Sequence, residues 1–128
     1  MAKRILLVDD DVDFVMEQRG LLEQAGYSVV TANSEKEATA MIQKDMPDLA
    51  IVDIMLENAD GGFTLAYHIK KKDSKVPVVL VTSAMHDYGF KFDVNTKEER
   101  SWIKADIVIE KPIRFEQMLD DIKRLLNN

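Results

Sequence analysis

Four short apolar runs rich in β-branched residues punctuate the chain: Ile5–Val8, Leu49–Val52, Val78–Val81 and Ile107–Ile109. Each is nearly continuous rather than alternating, the pattern of strands buried on both faces of a parallel sheet. Tyr27–Thr31 reads as a fifth, weaker strand. Between these runs the apolar positions recur at helical spacing. Phe14, Gln18, Leu21, Leu22 and Ala25 share one face after Asp11, and Gly26 is a natural stop. Ser34 with Glu37 reads as a capping box ahead of Ala38, Met41 and Ile42, and Pro47 closes that unit. Phe63, Ala66 and Ile69 mark a third helix after Gly61-Gly62. Thr96 with Glu99 opens a short helix through Trp102 and Ile103. Phe115, Met118, Leu119, Ile122, Leu125 and Leu126 form a strong amphipathic stripe at the end of the chain. Strict alternation of strand and helix predicts an α/β domain: a parallel sheet covered by helices on both faces.

The chain has 128 residues, the size of one domain, and 46% of them are apolar, enough for one core. The expected organisation is a single domain over residues 1–128 with no output module. No stretch approaches the ~18 consecutive apolar residues of a membrane span, and Ile5–Val8 is too short for a signal peptide's apolar region. A cytoplasmic, unprocessed protein without membrane insertion is expected. The absence of cysteine excludes disulfides and thiolate metal sites. A formal net charge of -6 argues against binding nucleic acid through a general basic surface. The one basic run, Lys70-Lys71-Lys72, falls at a predicted helix end, where cations suit the helix dipole.

In open parallel sheets, sites form beyond the carboxyl ends of the strands, so the residues just after each strand carry the candidate chemistry. The first strand ends in Asp9-Asp10-Asp11, the third in Asp53, the fourth in Thr82-Ser83, and the fifth runs through Glu110 into Lys111-Pro112. One rim thus receives several carboxylates, a hydroxyl and an ammonium. Clustered carboxylates repel one another, and a hard divalent cation relieves that repulsion. Oxygen donors without sulfur or histidine favour Mg²⁺, which shares itself with a phosphate. A carboxylate can attack phosphorus to give an acyl phosphate, and the transferring group then needs positive partners and donors. Taken singly, the Asp triplet reads equally as a helix cap, Asp53 and Thr82-Ser83 as turn residues, and Lys-Pro as an exit from the sheet. Four such groups, each at a strand's carboxyl end, are hard to explain as four accidents.

These residues resemble the response-regulator receiver domains. The likeness covers essentially the whole chain and rests on LLVDDD (Leu6 to Asp11), IVDIML (Ile51 to Leu56), VLVTSA (Val79 to Ala84) and EKPI (Glu110 to Ile113). The resemblance implies a flavodoxin-like, five-stranded doubly wound sheet of order 2-1-3-4-5. It implies Asp53 as phospho-acceptor and Mg²⁺ held by Asp10 directly, by Asp9 through water, by Asp53 and by the Met55 backbone carbonyl. Thr82 would turn its hydroxyl to the phosphoryl group and Lys111 would pair with it. The bond from Lys111 to Pro112 is expected to be cis, and Asp11 is left for the helix N-terminus. The implied donor is a phosphohistidine on a sensor histidine kinase or a histidine phosphotransfer protein, not His68 or His86. The implied output is partner binding or phosphorelay, with the face made by the Thr96 helix, the last strand and the last helix as the docking surface. No enzymatic turnover beyond self-phosphorylation and slow hydrolysis of the aspartyl phosphate is implied.

The chain departs from that family in four places. Val108 stands three positions before the lysine, where an aromatic reporter is usual, so output is expected to depend on loop or helix movement. The segment from Thr82 to Lys111 is longer than usual by roughly two helical turns' worth of residues. Its extra material, Met85 to Asn95, carries Tyr88, Phe90 and Phe92, which either pack the loop down or offer a docking surface. Glu57 replaces a common proline. Met55 and Ala84 are apolar where side chains tune hydrolysis, and neither can orient a water, so a slowly hydrolysing phosphoryl group is expected.

Other classes fit less well. Asp9-x-Asp11 resembles the opening of haloacid-dehalogenase-like phosphatases, but Asp13 breaks that motif. An EF-hand loop needs glycine where Phe14 stands and glutamate where Gly20 stands. A flavin binder of the same fold would not need the Asp-Thr-Lys set. A phosphorylation-independent binding module with the receiver fold is the remaining alternative.

Overall fold

The computed structural model describes residues 2–54, 56, 61–82 and 105–127. Met55, Glu57, Ala84, His86, the Met85–Asn95 extension and the Thr96–Ile103 helix lie outside the described residues. Five strands, β1 (Arg4–Val8), β2 (Ser28–Ala32), β3 (Leu49–Asp53), β4 (Val78–Thr82) and β5 (Ile107–Glu110), form one sheet in the order β2-β1-β3-β4-β5. Every neighbouring pair is parallel. Four helices stand among the described residues: α1 (Val12–Gln24), α2 (Glu35–Lys44), α3 (Gly61–Lys72) and α4 (Phe115–Leu126). This is the expected doubly wound fold, and the predicted strands hold to within a residue or two.

The two faces of the sheet bury separate cores, as period-two alternation requires. Leu6, Val8, Ala50, Val52, Val78 and Leu80 point to the side covered by α2 and α3, against Ala38, Ile42, Leu65, Ala66 and Ile69. Ile5, Leu7, Leu49, Ile51, Val79 and Val81 point to the other side, against Val15 and Leu22 of α1 and Met118 and Ile122 of α4. Burial on both sides is why the strand sequences are continuously apolar. Val108, on edge strand β5, packs against the α2–α3 side.

The helix ends follow their caps. Asp11 accepts the Phe14 N–H at 3.2 Å and Ser34 Oγ accepts the Glu37 N–H at 3.1 Å, each satisfying a donor that the first turn leaves open. Gly26 has φ of 101° after α1, a conformation costly for any residue with a Cβ. Three details differ from the periodic reading. The buried stripe of α1 is Val15, Gln18 and Leu22, while Phe14 and Leu21 lie half-buried and Ala25 is the exposed C-cap. Helix α3 begins on Gly61 itself rather than after the glycine pair. Two of the three lysines ending α3 tie it to other segments: Lys70 Nζ meets Asp106 Oδ2 at 2.8 Å and Lys72 Nζ donates to the Ile42 carbonyl at 2.8 Å.

Candidate functional site

Strand order reverses between β1 and β3, and the crevice beyond their carboxyl ends is where such sheets bind ligands. Asp9 and Asp10 follow β1 and Asp53 ends β3, so the carboxylates flank that crevice. Each of the three offers an oxygen, and these oxygens all lie within 4.8 Å of one another. Asp9 and Asp53 are buried, and Asp10 opens to solvent. At that spacing each like-charged pair costs about 1 kcal/mol at the permittivity of water and about 3 kcal/mol at an effective permittivity of ~20.

Asp9 is held from two sides. Its Oδ1 accepts the Asp11 N–H at 2.9 Å, and its Oδ2 accepts from Lys111 Nζ at 3.0 Å. Lys111 follows β5, where its own N–H donates to the Thr82 carbonyl at 2.7 Å, so the lysine and the threonine are fixed relative to each other by backbone. The Lys111–Pro112 peptide is cis, as expected. Thr82, buried, ends β4 one position beyond the residue that pairs with Asp53. Four strand ends therefore converge: the fold brings Asp9, Asp10, Asp53, Thr82 and Lys111 to one rim. The set, all hard oxygen donors with one ammonium, suits a hard divalent cation and a phosphoryl group. The expected Met55 carbonyl lies outside the described residues.

The family description "Response regulator receiver domain" matches residues 5–123. The chain belongs to the response regulator receiver domain family. Among curated relatives, Response regulator MprA of Mycobacterium leprae is 30% identical over 123 residues, covering 96% of this chain and 50% of that protein. The alkaline phosphatase synthesis transcriptional regulatory protein PhoP of Bacillus subtilis is 31% identical over 88 residues, covering 69% of this chain and 36% of that protein. The chain thus spans half or less of the length of these relatives. Among solved structures, a CheY-like receiver domain protein of Methanospirillum hungatei superposes with a TM-score of 0.82 at 29% identity, covering 99% of this chain and 95% of that one. TrrA of Thermotoga maritima, solved in complex with Mg²⁺ and BeF, gives a TM-score of 0.78 at 27% identity, covering 96% and 98%. Receiver domains are signalling modules that bind Mg²⁺ in an acidic pocket and work with histidine kinases and downstream partners, and this chain carries an acidic cluster of Asp9, Asp10 and Asp53.

Two residues of the receiver's rim escaped the sequence reading. A Cβ on Gly62 would lie 2.2 Å from the Asp53 carbonyl oxygen and 2.5 Å from Ile54 Cα. The Gly62 N–H donates to the Ile54 carbonyl at 2.8 Å. The start of α3 is thus seated directly on the backbone that carries Asp53, and only glycine lets it come so close. The doubled glycine was the available signal, and it reads equally as a helix boundary. The other is Phe14, whose ring faces the Lys111 ammonium. Nothing local in the sequence links those two positions.

Proposed function

We propose that this receiver takes a phosphoryl group onto Asp53 and signals through the partner contacts that the modified rim favours. What carries the reading is the convergence of three carboxylates within 4.8 Å of one another with Lys111 Nζ bonded to Asp9. Asp9, Asp10 and Asp53 fit Mg²⁺ through their oxygens, and the Met55 carbonyl is assigned as a further ligand. When bound, Mg²⁺ supplies positive charge to the phosphoryl oxygens. A carboxylate oxygen of Asp53 attacks phosphorus, the bond from phosphorus to a histidine nitrogen of the donor breaks, and that nitrogen leaves with the electron pair. With the other ring nitrogen protonated in the donor, the products are an aspartyl phosphate on this chain and a neutral imidazole on the donor. Thr82 offers a hydroxyl donor and Lys111 a cation to the oxygens gathered on Asp53. The donor is a sensor histidine kinase or a histidine phosphotransfer protein, the setting is the cytoplasm, and hydrolysis is slow because Met55 and Ala84 cannot orient water.

Support for the metal and phosphoryl reading also comes from TrrA, a relative in fold that was solved with Mg²⁺ and BeF. Fluorine NMR of this chain titrated with beryllofluoride and Mg²⁺ tests it. Bound fluoride signals that need Mg²⁺ and vanish in Asp53→Asn are expected. Signals that persist in that variant would move the acceptor elsewhere.

A further inference from the structure

Lys111 has two anchors, and the second is not a charge. Its Nζ lies 3.0 Å from Asp9 Oδ2 and 4.1 Å from the centroid of the Phe14 ring. The ring is half-buried at the start of α1, and the lysine side chain is 19% exposed, so the contact is partly desolvated. A cation over an aromatic face at this range is held by the ring quadrupole, more strongly as water is excluded. Phe14 is itself fixed. Its N–H is the donor that Asp11 caps, and its ring packs on the core shared by α1 and α4. Phe14, Lys111, Pro112 and Ile113 line one crevice, so the ring bridges α1 and the segment after β5 beside the carboxylates.

The geometry points to Phe14 as a positioning residue for Lys111. The proposal rests on the phosphoryl-transfer reading above and adds a residue to it. Asp9 has competing duties: it bonds the Asp11 N–H, bonds Lys111, and belongs to the cluster that fits a cation. A lysine held by Asp9 alone would be freed to solvent whenever that carboxylate turned to the metal. The neutral ring makes no demand on the carboxylate and keeps the ammonium at the rim throughout. An aliphatic side chain of similar bulk would fill the crevice but would not hold the cation.

The test pairs a rate with a spectroscopic signature in wild type, Phe14→Leu and Phe14→Tyr. The rate is that of Mg²⁺-dependent phosphorylation by acetyl phosphate. The signature is the upfield ring-current shift of the Lys111 ε-methylene protons, identified by their loss in Lys111→Met. Phe14→Leu is expected to be slower by about five-fold, in the range of a partly desolvated cation–π contact, and to lose the upfield shift. Phe14→Tyr, which keeps the ring face, is expected to match wild type in both. An unshifted methylene in wild type, an unchanged rate in Phe14→Leu, or a Tyr variant as slow as the Leu variant would overturn the proposal. If wild type takes no phosphoryl group, the acceptor reading falls by itself, and the methylene shift still decides whether Phe14 holds the ammonium.

Discussion

The two ends of the same sheet use their charged residues in opposite ways. At the amino ends of the strands each carboxylate meets a donor. Asp48 accepts the Arg4 N–H at 2.7 Å, Asp45 pairs with the Arg4 guanidinium, and Asp106 accepts both the Val78 N–H at 2.7 Å and Lys70 Nζ at 2.8 Å. These contacts tie the starts of β1 and β4 to the segments that precede β3 and β5. At the carboxyl ends, three carboxylates face one another and the lysine bonds one of them. The first arrangement holds the fold together. The second is a concentration of like charge that Lys111 offsets at Asp9 and a divalent cation would offset further, and sites of that kind trade stability for function. The contrast explains why one end reads as architecture and the other as chemistry.

The contrast can be broken by substitution, and the largest effect is expected where the two purposes meet. Gly62→Ala forces a Cβ into the backbone of Asp53. A loss of about 3 kcal/mol in chemical denaturation is expected, the upper range for overpacking, because the atoms struck are main chain. A loss below about 1 kcal/mol would mean that α3 is not held against β3 as described.

At the amino end, Asp106→Ala removes the acceptor for a buried Val78 N–H and the partner of Lys70. About 2 kcal/mol is expected, the cost of orphaning a buried donor, with phosphorylation unimpaired. Thermal unfolding and the acetyl phosphate assay check the two halves separately. At the carboxyl end the sign reverses. Asp10→Asn is expected to stabilise the metal-free protein by about 0.5–1 kcal/mol through relief of like charge, and to lack the rise in melting temperature expected of wild type on adding Mg²⁺ through linkage. A destabilised Asp10→Asn would show that this rim is structural after all.

The smallest effect concerns pH. The Arg4 guanidinium holds the Asp45 carboxyl below its ordinary value by hydrogen bonding first and charge second. A depressed carboxyl contributes stability that is present above its unfolded value, near 3.9, and is lost as pH falls through the folded value. Asp45 is exposed, so Asp45→Asn should flatten the acid limb of the stability profile only slightly. A large change in that limb would place Asp45 in a tighter pair than the structure gives it.

How much of this was legible in the sequence follows from the range of each interaction. The strands were legible because burial on both faces leaves a continuous apolar run, and the Ser34 cap because it spans three residues. The rim residues Asp9, Asp53, Thr82 and Lys111 could be gathered because parallel topology puts every strand's carboxyl end on one side. Gly62 was not legible as a contact, since its need for no side chain arises from the Asp53–Ile54 backbone, which is not adjacent to it in the chain. The Phe14–Lys111 contact joins residues far apart in the chain and leaves no periodic trace. Gln18 lay on a helical face that was read as core, and it is buried with its Oε1 unpartnered among the described residues, a polar atom that periodicity could not flag. The basic run showed only as a helix end, because the acceptors of Lys70 and Lys72, Asp106 and the Ile42 carbonyl, lie on other segments.

Whether the crowded rim receives a phosphoryl group on Asp53, as proposed, is decided by intact mass spectrometry. Wild type and Asp53→Asn are incubated with a small acyl or amide phosphodonor, with and without Mg²⁺. A gain of one phosphoryl group is expected in wild type that requires both Mg²⁺ and Asp53, and that decays over far longer than seconds once donor is removed. No gain in folded wild type that binds Mg²⁺, or an equal gain in Asp53→Asn, would contradict it.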